Sequence, residues 1–162
     1  MNDRWKPSVT VAAVIEHEGR YLLVEEETPE GLRLNNPAGH LEAGETPEQG
    51  VVREALEETA RTFVPECVVG LYLSRFQRAA TGEDVTYLRL AYGGTAGDAD
   101  PTRPLDDGIV RTLWMTLDEV RASRDRHRSS LLLRCIEDHA AGRRLPLDTV
   151  YADPTLIDPE RK

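Results

Sequence analysis

One helix start constrains this chain more than any other feature. Thr46-Pro47-Glu48-Gln49 supplies an N-cap hydroxyl, a proline at the first helical position and a glutamine three residues past the cap, which together make a capping box. Helical spacing then continues to about Ala60. Before this helix, two β-rich runs at residues 9–17 and 20–25 flank Glu18-Gly19, the signature of a tight hairpin. The first run is almost continuously apolar, as expected of a central strand. After a polar turn at residues 28–33, the stretch Asn35-Asn36-Pro37-Ala38-Gly39 is too rich in turn formers to stay regular and reads as a loop. Further strands are predicted at residues 67–77, 85–92 and 111–115, forming a second meander. Thr116 with Glu119 repeats the capping box, and Ser129 or Ser130 is expected to cap a last helix reaching about Ala141. The fold class is therefore α/β. No linker divides the 162 residues, so residues 1–162 are read as a single domain.

Charge and composition narrow the function. With 20 Lys plus Arg against 29 Asp plus Glu, the net charge of -9 repels a phosphate backbone, and no basic patch larger than residues 124–128 offsets it. No nucleic-acid partner is expected. The longest uncharged apolar stretch, residues 9–15, is far short of the ~20 residues a membrane span needs. The start MNDRWKP lacks a basic head followed by an apolar run. A cytoplasmic protein with no membrane partner is the expectation. Cys67 and Cys135 are in no CxxC spacing and read as buried thiols, not as a disulfide or zinc site.

At about 100° per residue, Val52, Ala55, Leu56 and Thr59 fall on one side of the 46–60 helix and Glu54, Glu57 and Glu58 on the other. Like charges at these spacings repel, and Arg53, four residues before Glu57, is the one nearby relief. Three carboxylates on adjacent turns are hard oxygen ligands suited to Mg2+ or Mn2+; a merely solvated acidic face is the alternative. The preceding loop, residues 39–45, contains two glycines that permit close backbone approach, and it feeds a helix N-terminus that favours anions. A phosphate-bearing ligand bridged by a divalent metal would explain both ends of the segment. The loop at residues 97–108, with two prolines and four aspartates, is long enough to suggest function, or else is a solvated acidic connection.

Residues 39–61 read GHLEAGETPEQGVVREALEETAR. This closely resembles the Nudix box, G-x5-E-x7-R-E-U-x-E-E-x-G-U, with Gly39, Glu45, Arg53, Glu54, Glu57 and Glu58 in their motif positions. Ala60 stands where the family has glycine, Ala55 is a small version of the aliphatic position and Arg61 replaces the final aliphatic. Residues 5–12, 36–43, Trp114 and 142–147 extend the likeness to a phosphatase branch of the bacterial Nudix hydrolases. The resemblance implies the Nudix fold, an α/β/α sandwich with a mixed β-sheet and a loop-helix-loop motif. It implies a Mg2+-dependent hydrolase, with Mn2+ as an alternative ion. The expected reaction removes the terminal phosphate from small diphosphates such as hydroxymethylpyrimidine diphosphate, thiamine diphosphate and nucleoside di- and triphosphates. The alternatives are a pyrophosphohydrolase of nucleotide sugars or nucleoside triphosphates, and a non-catalytic ligand sensor. By motif position, Glu57 and Glu58 are the expected metal ligands and Glu54 a ligand or the general base. The carbonyl of Ala38 is a further oxygen ligand that Gly39 makes accessible. Arg53 is expected to orient Glu57 or Glu45, the latter a structural member of the motif. His40 either reaches a phosphate or makes a local hydrogen bond. Asp106 and Asp107 stand near the late-loop position where the family often carries another acid, here Gly108. Trp5, Phe76, Tyr87 and Tyr92 are candidates to stack on a substrate ring, or are core residues. Monomer and homodimer both remain open.

Overall fold

The computed structural model describes residues 3–161. Its centre is β1 (Ser8–His17), whose apolar run from Val11 to Ile15 is buried on both faces. β1 pairs antiparallel with the start of β2 (Arg20–Thr28) through a turn in which Glu18 (φ 49°) and Gly19 (φ 76°) both take positive φ, as a two-residue type I′ hairpin requires. On its other side β1 runs parallel to β6 (Asp84–Ala96), in register from Ser8 opposite Tyr87 to Ile15 opposite Gly94. β5 (Phe63–Gln77) closes that edge antiparallel to β6. The strand order is β3-β2-β1-β6-β5, with β3 (Gly31–Asn35) on β2, β4 (Ala38–His40) on β1 and β7 (Ile109–Thr116) on β2.

Helices cover both faces. Val51 and Ala55 of α1 (Pro47–Thr59) pack on Val11, Ala13, Ile15, Leu22, Phe63, Val68 and Tyr92. On the opposite face, Leu131, Leu132, Cys135 and Ile136 of α3 (Leu131–Ala140) pack on Val14, Leu23, Leu34, Val69 and Ala91. α2 (Leu117–Ala122) follows β7. Burying each large aliphatic side chain stabilises the fold by roughly 1.5–3 kcal/mol, so the two layers lock the sheet between them. The result is the α/β/α sandwich with a mixed sheet. Both cysteines are free and buried. No helix among the described residues is long and apolar enough to cross a membrane.

Both capping boxes form: Thr46 with Gln49 opens α1, and Thr116 with Glu119 opens α2. At α3 the Ser129 hydroxyl accepts from the Leu131 N–H at 3.3 Å, while the Ser130 side chain makes no cap. Two expectations change. The stretch 31–40 is not a loop throughout, because it contains β3 and β4 on either side of Asn36-Pro37. The buried Arg89 guanidinium donates to the Asn36 Oδ1 (3.0 Å) and the Asn35 Oδ1 (3.2 Å), and the Pro37 carbonyl accepts from the Ala13 N–H at 2.8 Å. These distant partners satisfy groups that otherwise favour a solvated turn. The third strand of the expected meander, β7, does not join β6 but crosses to β2.

Candidate active site

β4 and α1 bring the box together around Arg53. The Nε and Nη2 groups of Arg53 donate to the two Glu45 oxygens at 3.0 and 2.7 Å, a bidentate fork. Its Nη1 donates to Glu54 Oε1 (2.7 Å) and Glu57 Oε2 (3.2 Å), and Nη2 also donates to the His40 carbonyl (3.0 Å). One guanidinium thus ties the loop to three carboxylates of the motif. Hydrogen bonding to Arg53 holds the Glu45 carboxyl below the usual range, and Glu45 in turn raises the arginine further above its ordinary value. Glu45 also accepts the Glu42 N–H at 2.8 Å, which closes the loop on itself. Gly39 lies so close to Glu54 that a Cβ built there would fall within its carboxylate.

The helix is rotated from the expected division of faces. Its buried stripe is Val51, Ala55, Glu58 and Thr59, while Val52 and Leu56 are only partly buried. Glu58 is therefore not on a solvated acidic face: it is 6% exposed and accepts the Ala38 N–H at 2.6 Å. Burial pushes its carboxyl up to about 8, against that hydrogen bond and with the repulsion of Glu26, Glu54 and Asp106. Burial also raises Glu54, opposed by Arg53. The helix start differs too. Thr46 takes the Gln49 N–H and Gln49 takes the Thr46 N–H, so the chain itself occupies donors expected to meet an anion.

Of the late-loop acids, Asp106 is brought to the site: its N–H donates to the Glu57 carbonyl at 2.9 Å and its charge acts on Glu54 and Glu58. Asp107 is exposed and makes no side-chain hydrogen bond or ion pair among the described residues. His40 is exposed, with its ring 5.8 Å from that of Tyr87. Tyr92 is fully buried in the α1-side core, and Trp5 is exposed. Sequence reasoning missed Glu26 and Arg128. Glu26 Oε2 pairs with Arg128 Nη1 at 2.7 Å, while Glu26 Oε1 is buried without a partner. The available signal was the placing of Glu25-Glu26 at the end of a buried strand, where a carboxylate needs a compensating partner.

Among the described residues, no three His, Cys, Asp or Glu side chains converge to form a metal site, since Arg53 occupies Glu54 and Glu57 and Glu58 turns to Ala38. The donor chemistry nevertheless fits a hard divalent cation. The cluster is all oxygen, and Glu58, raised first by burial and then by the nearby carboxylates of Glu26, Glu54 and Asp106, sits where a cation would offset that repulsion.

The NUDIX domain model matches residues 4–134. The chain is similar to Phosphatase NudJ of Escherichia coli K12, 32% identical over 146 residues that cover 90% of this chain and 92% of the relative. A solved NUDIX hydrolase from Nitrosomonas europaea is 49% identical with a TM-score of 0.82, covering 91% of this chain and 98% of that one. The MutT NUDIX hydrolase from Burkholderia pseudomallei shares the fold at 22% identity and a TM-score of 0.66, covering 83% of this chain and 98% of that one. With the box carboxylates gathered around Arg53 between β4 and α1, these likenesses lead to one conclusion: the chain belongs to the Nudix hydrolase family.

Proposed function

We propose that this chain, as one Nudix domain over its whole length, removes the terminal phosphate from small diphosphates in a Mg2+-dependent hydrolysis. The observation that carries the reading is the complete carboxylate set held by Arg53, with Glu58 buried against the Ala38 N–H. A ligand sensor would need no such set. The similarity to a named phosphatase over 90% of the chain supports loss of a terminal phosphate over release of pyrophosphate.

Glu54, Glu57, Glu58 and the Ala38 carbonyl would hold the cation, which supplies charge neutralisation at the phosphoryl oxygens and acidifies water. The chain's own contribution is positioning and proton transfer. Burial raises the proton affinity of Glu54 above that of a free carboxylate, the direction a general base needs, and Arg53 opposes that rise. Arg53 fixes that carboxylate and stays charged throughout. Asp106, tied to the end of α1 by its backbone, adds negative charge near Glu54 and Glu58.

The test is phosphorus NMR of the protein with Mg2+ and, separately, hydroxymethylpyrimidine diphosphate, thiamine diphosphate, GDP, GTP and ADP-ribose. Orthophosphate from the diphosphates, absent with Glu57→Gln, is the expected result. Pyrophosphate or paired monophosphates would replace this reading with the pyrophosphohydrolase. Binding without any product would replace it with the sensor.

A further inference from the structure

A second cleft lies at the end of the sheet away from the box. β4 meets β1 at residues 10–12, whereas Glu16 stands near the far end of β1, about 13 Å or more further along the strand. The cleft is also on the other face. Val14 and Ala91 pack in the α3-side core, so by strand alternation Glu16 on β1 and Gly93 and Thr95 on β6 look toward α3, not α1. These three, with Glu66, His139 and Arg144, line a cavity of about 320 Å³, large enough for a small metabolite.

His139 forms its buried wall. The residue is 7% exposed, and its Nδ1 edge is taken by the Tyr21 hydroxyl at 3.0 Å. The opposite edge borders the cleft: a Cβ built on Gly93 would stand 3.0 Å from His139 Cδ2, and Nε2 has no hydrogen-bond partner among the described residues. A polar atom on so deeply buried a side chain ordinarily has one. Charged groups surround it with atoms to spare. Glu16 uses Oε1 on the Gly19 N–H (2.7 Å), and Glu66 uses Oε1 on the Thr95 hydroxyl (3.1 Å). Arg144 donates from Nη1 to the His139 and Arg143 carbonyls (2.7 and 3.0 Å). Among the described residues the other carboxylate oxygens and the Arg144 Nε and Nη2 are unpartnered, and none of the three side chains forms an ion pair. No three His, Cys, Asp or Glu side chains converge on a metal position among the described residues, so the carboxylates call for an organic cation. The guanidinium on the same cleft calls for an anionic end.

We propose that this cleft is a second binding site, separate from the hydrolytic one, for a small zwitterion of the α-amino-acid class. The ammonium lies with Glu16 and Glu66 and the carboxylate with Arg144, each through charge-assisted hydrogen bonds. His139 Nε2 suits either end: in the Nδ1-protonated tautomer it accepts from the ammonium, and in the other it donates to the carboxylate. No residue of the box takes part, so the site does not rest on the reaction proposed above.

The probes are L-alanine, ethylamine and propionate, the last two being alanine without its carboxylate and without its ammonium. Long-range proton–nitrogen NMR reads the four histidine rings during each titration. His139 should shift saturably with alanine while His40, in the box, stays still. Ethylamine and propionate should bind at least about tenfold more weakly. A Glu16→Gln, Glu66→Gln double variant, whose amide oxygens still accept from Gly19 and Thr95, should weaken alanine about tenfold. Arg144→Ala should do the same, and Arg144→Lys should recover most of the loss; an unchanged ligand-free His139 signal verifies the fold of each. No saturable shift at His139, equal binding of ethylamine or propionate, or unchanged alanine affinity in the double variant or in Arg144→Ala would overturn the proposal. A shift at His40 alone would place the amino acid at the box and overturn it as well.

Discussion

Arg53→Lys conserves charge and should still cripple the site. Arg53 makes five hydrogen bonds that spread over Glu45, Glu54, Glu57 and the His40 carbonyl. A lysine ammonium offers its donors from a single point, so it can reach the Glu45 side or the Glu54 and Glu57 side, but it cannot reproduce the fork that serves both. At least two charge-assisted bonds are lost. In a buried setting each would be worth about 1.5–3 kcal/mol. The Arg53 side chain is 23% exposed and its partners 12–35%, so solvent screening brings the figure to about 1 kcal/mol each. A total of about 2 kcal/mol, expressed in the transition state, corresponds to about a thirtyfold fall in kcat. Because the guanidinium has no assigned contact with the substrate ring, KM should move little. Steady-state phosphate release, with circular dichroism to verify the fold, measures the effect. A folded Arg53→Lys enzyme working within threefold of wild type would refute the argument that the fork geometry organises the carboxylates.

Two further predictions concern stability. His139 is buried, its Nδ1 3.0 Å from the Tyr21 hydroxyl, and burial pushes its pKa down to about 4. The unfolded chain therefore takes up this proton first as pH falls below about 6.5, so the stability of the neutral folded form is lost between about 6.5 and 4, with a slope of at most about 1.4 kcal/mol per pH unit. Urea titrations across that range should show a shallower pH dependence in His139→Gln than in wild type; equal slopes would dismiss the histidine. At the end of α1, Ala60 holds φ 56° and ψ 25°, a left-handed conformation that glycine adopts freely. Ala60→Gly should relieve roughly 1–2 kcal/mol of backbone strain, partly offset by about 0.5–1 kcal/mol of glycine entropy, raising Tm by about 1–2 °C. A lower Tm would mean that the buried methyl outweighs the strain.

Local signals were legible from sequence, and long-range partners were not. The Thr46 and Thr116 capping boxes and the Glu18-Gly19 hairpin depend on residues only a few positions apart, and each forms as the residue types dictate. The register of α1 against the sheet depends on what lies opposite it. Val51 and Val52 are equally apolar, and only packing against β1 and β5 selects Val51 and turns Glu58 inward. The groups that then set the state of Glu58, the Ala38 N–H that it accepts and the repelling Glu26 and Asp106, each lie 20 or more residues away along the chain. Likewise β3 and β4 exist because Arg89 and Ala13 satisfy Asn35, Asn36 and Pro37, partners that no local propensity encodes. The resemblance at residues 39–61 located the carboxylates correctly on one helix, yet their convergence on Arg53, and the approach of Glu26 with Arg128, required the fold.

The most direct measurement is hydrolysis of thiamine diphosphate and GDP in heavy-oxygen water with Mg2+, followed by mass spectrometry of both products. Attack on the terminal phosphorus places the label in orthophosphate and leaves the organic monophosphate unlabelled. Label in the monophosphate would mean that water strikes the inner phosphorus, and would contradict the proposed reaction.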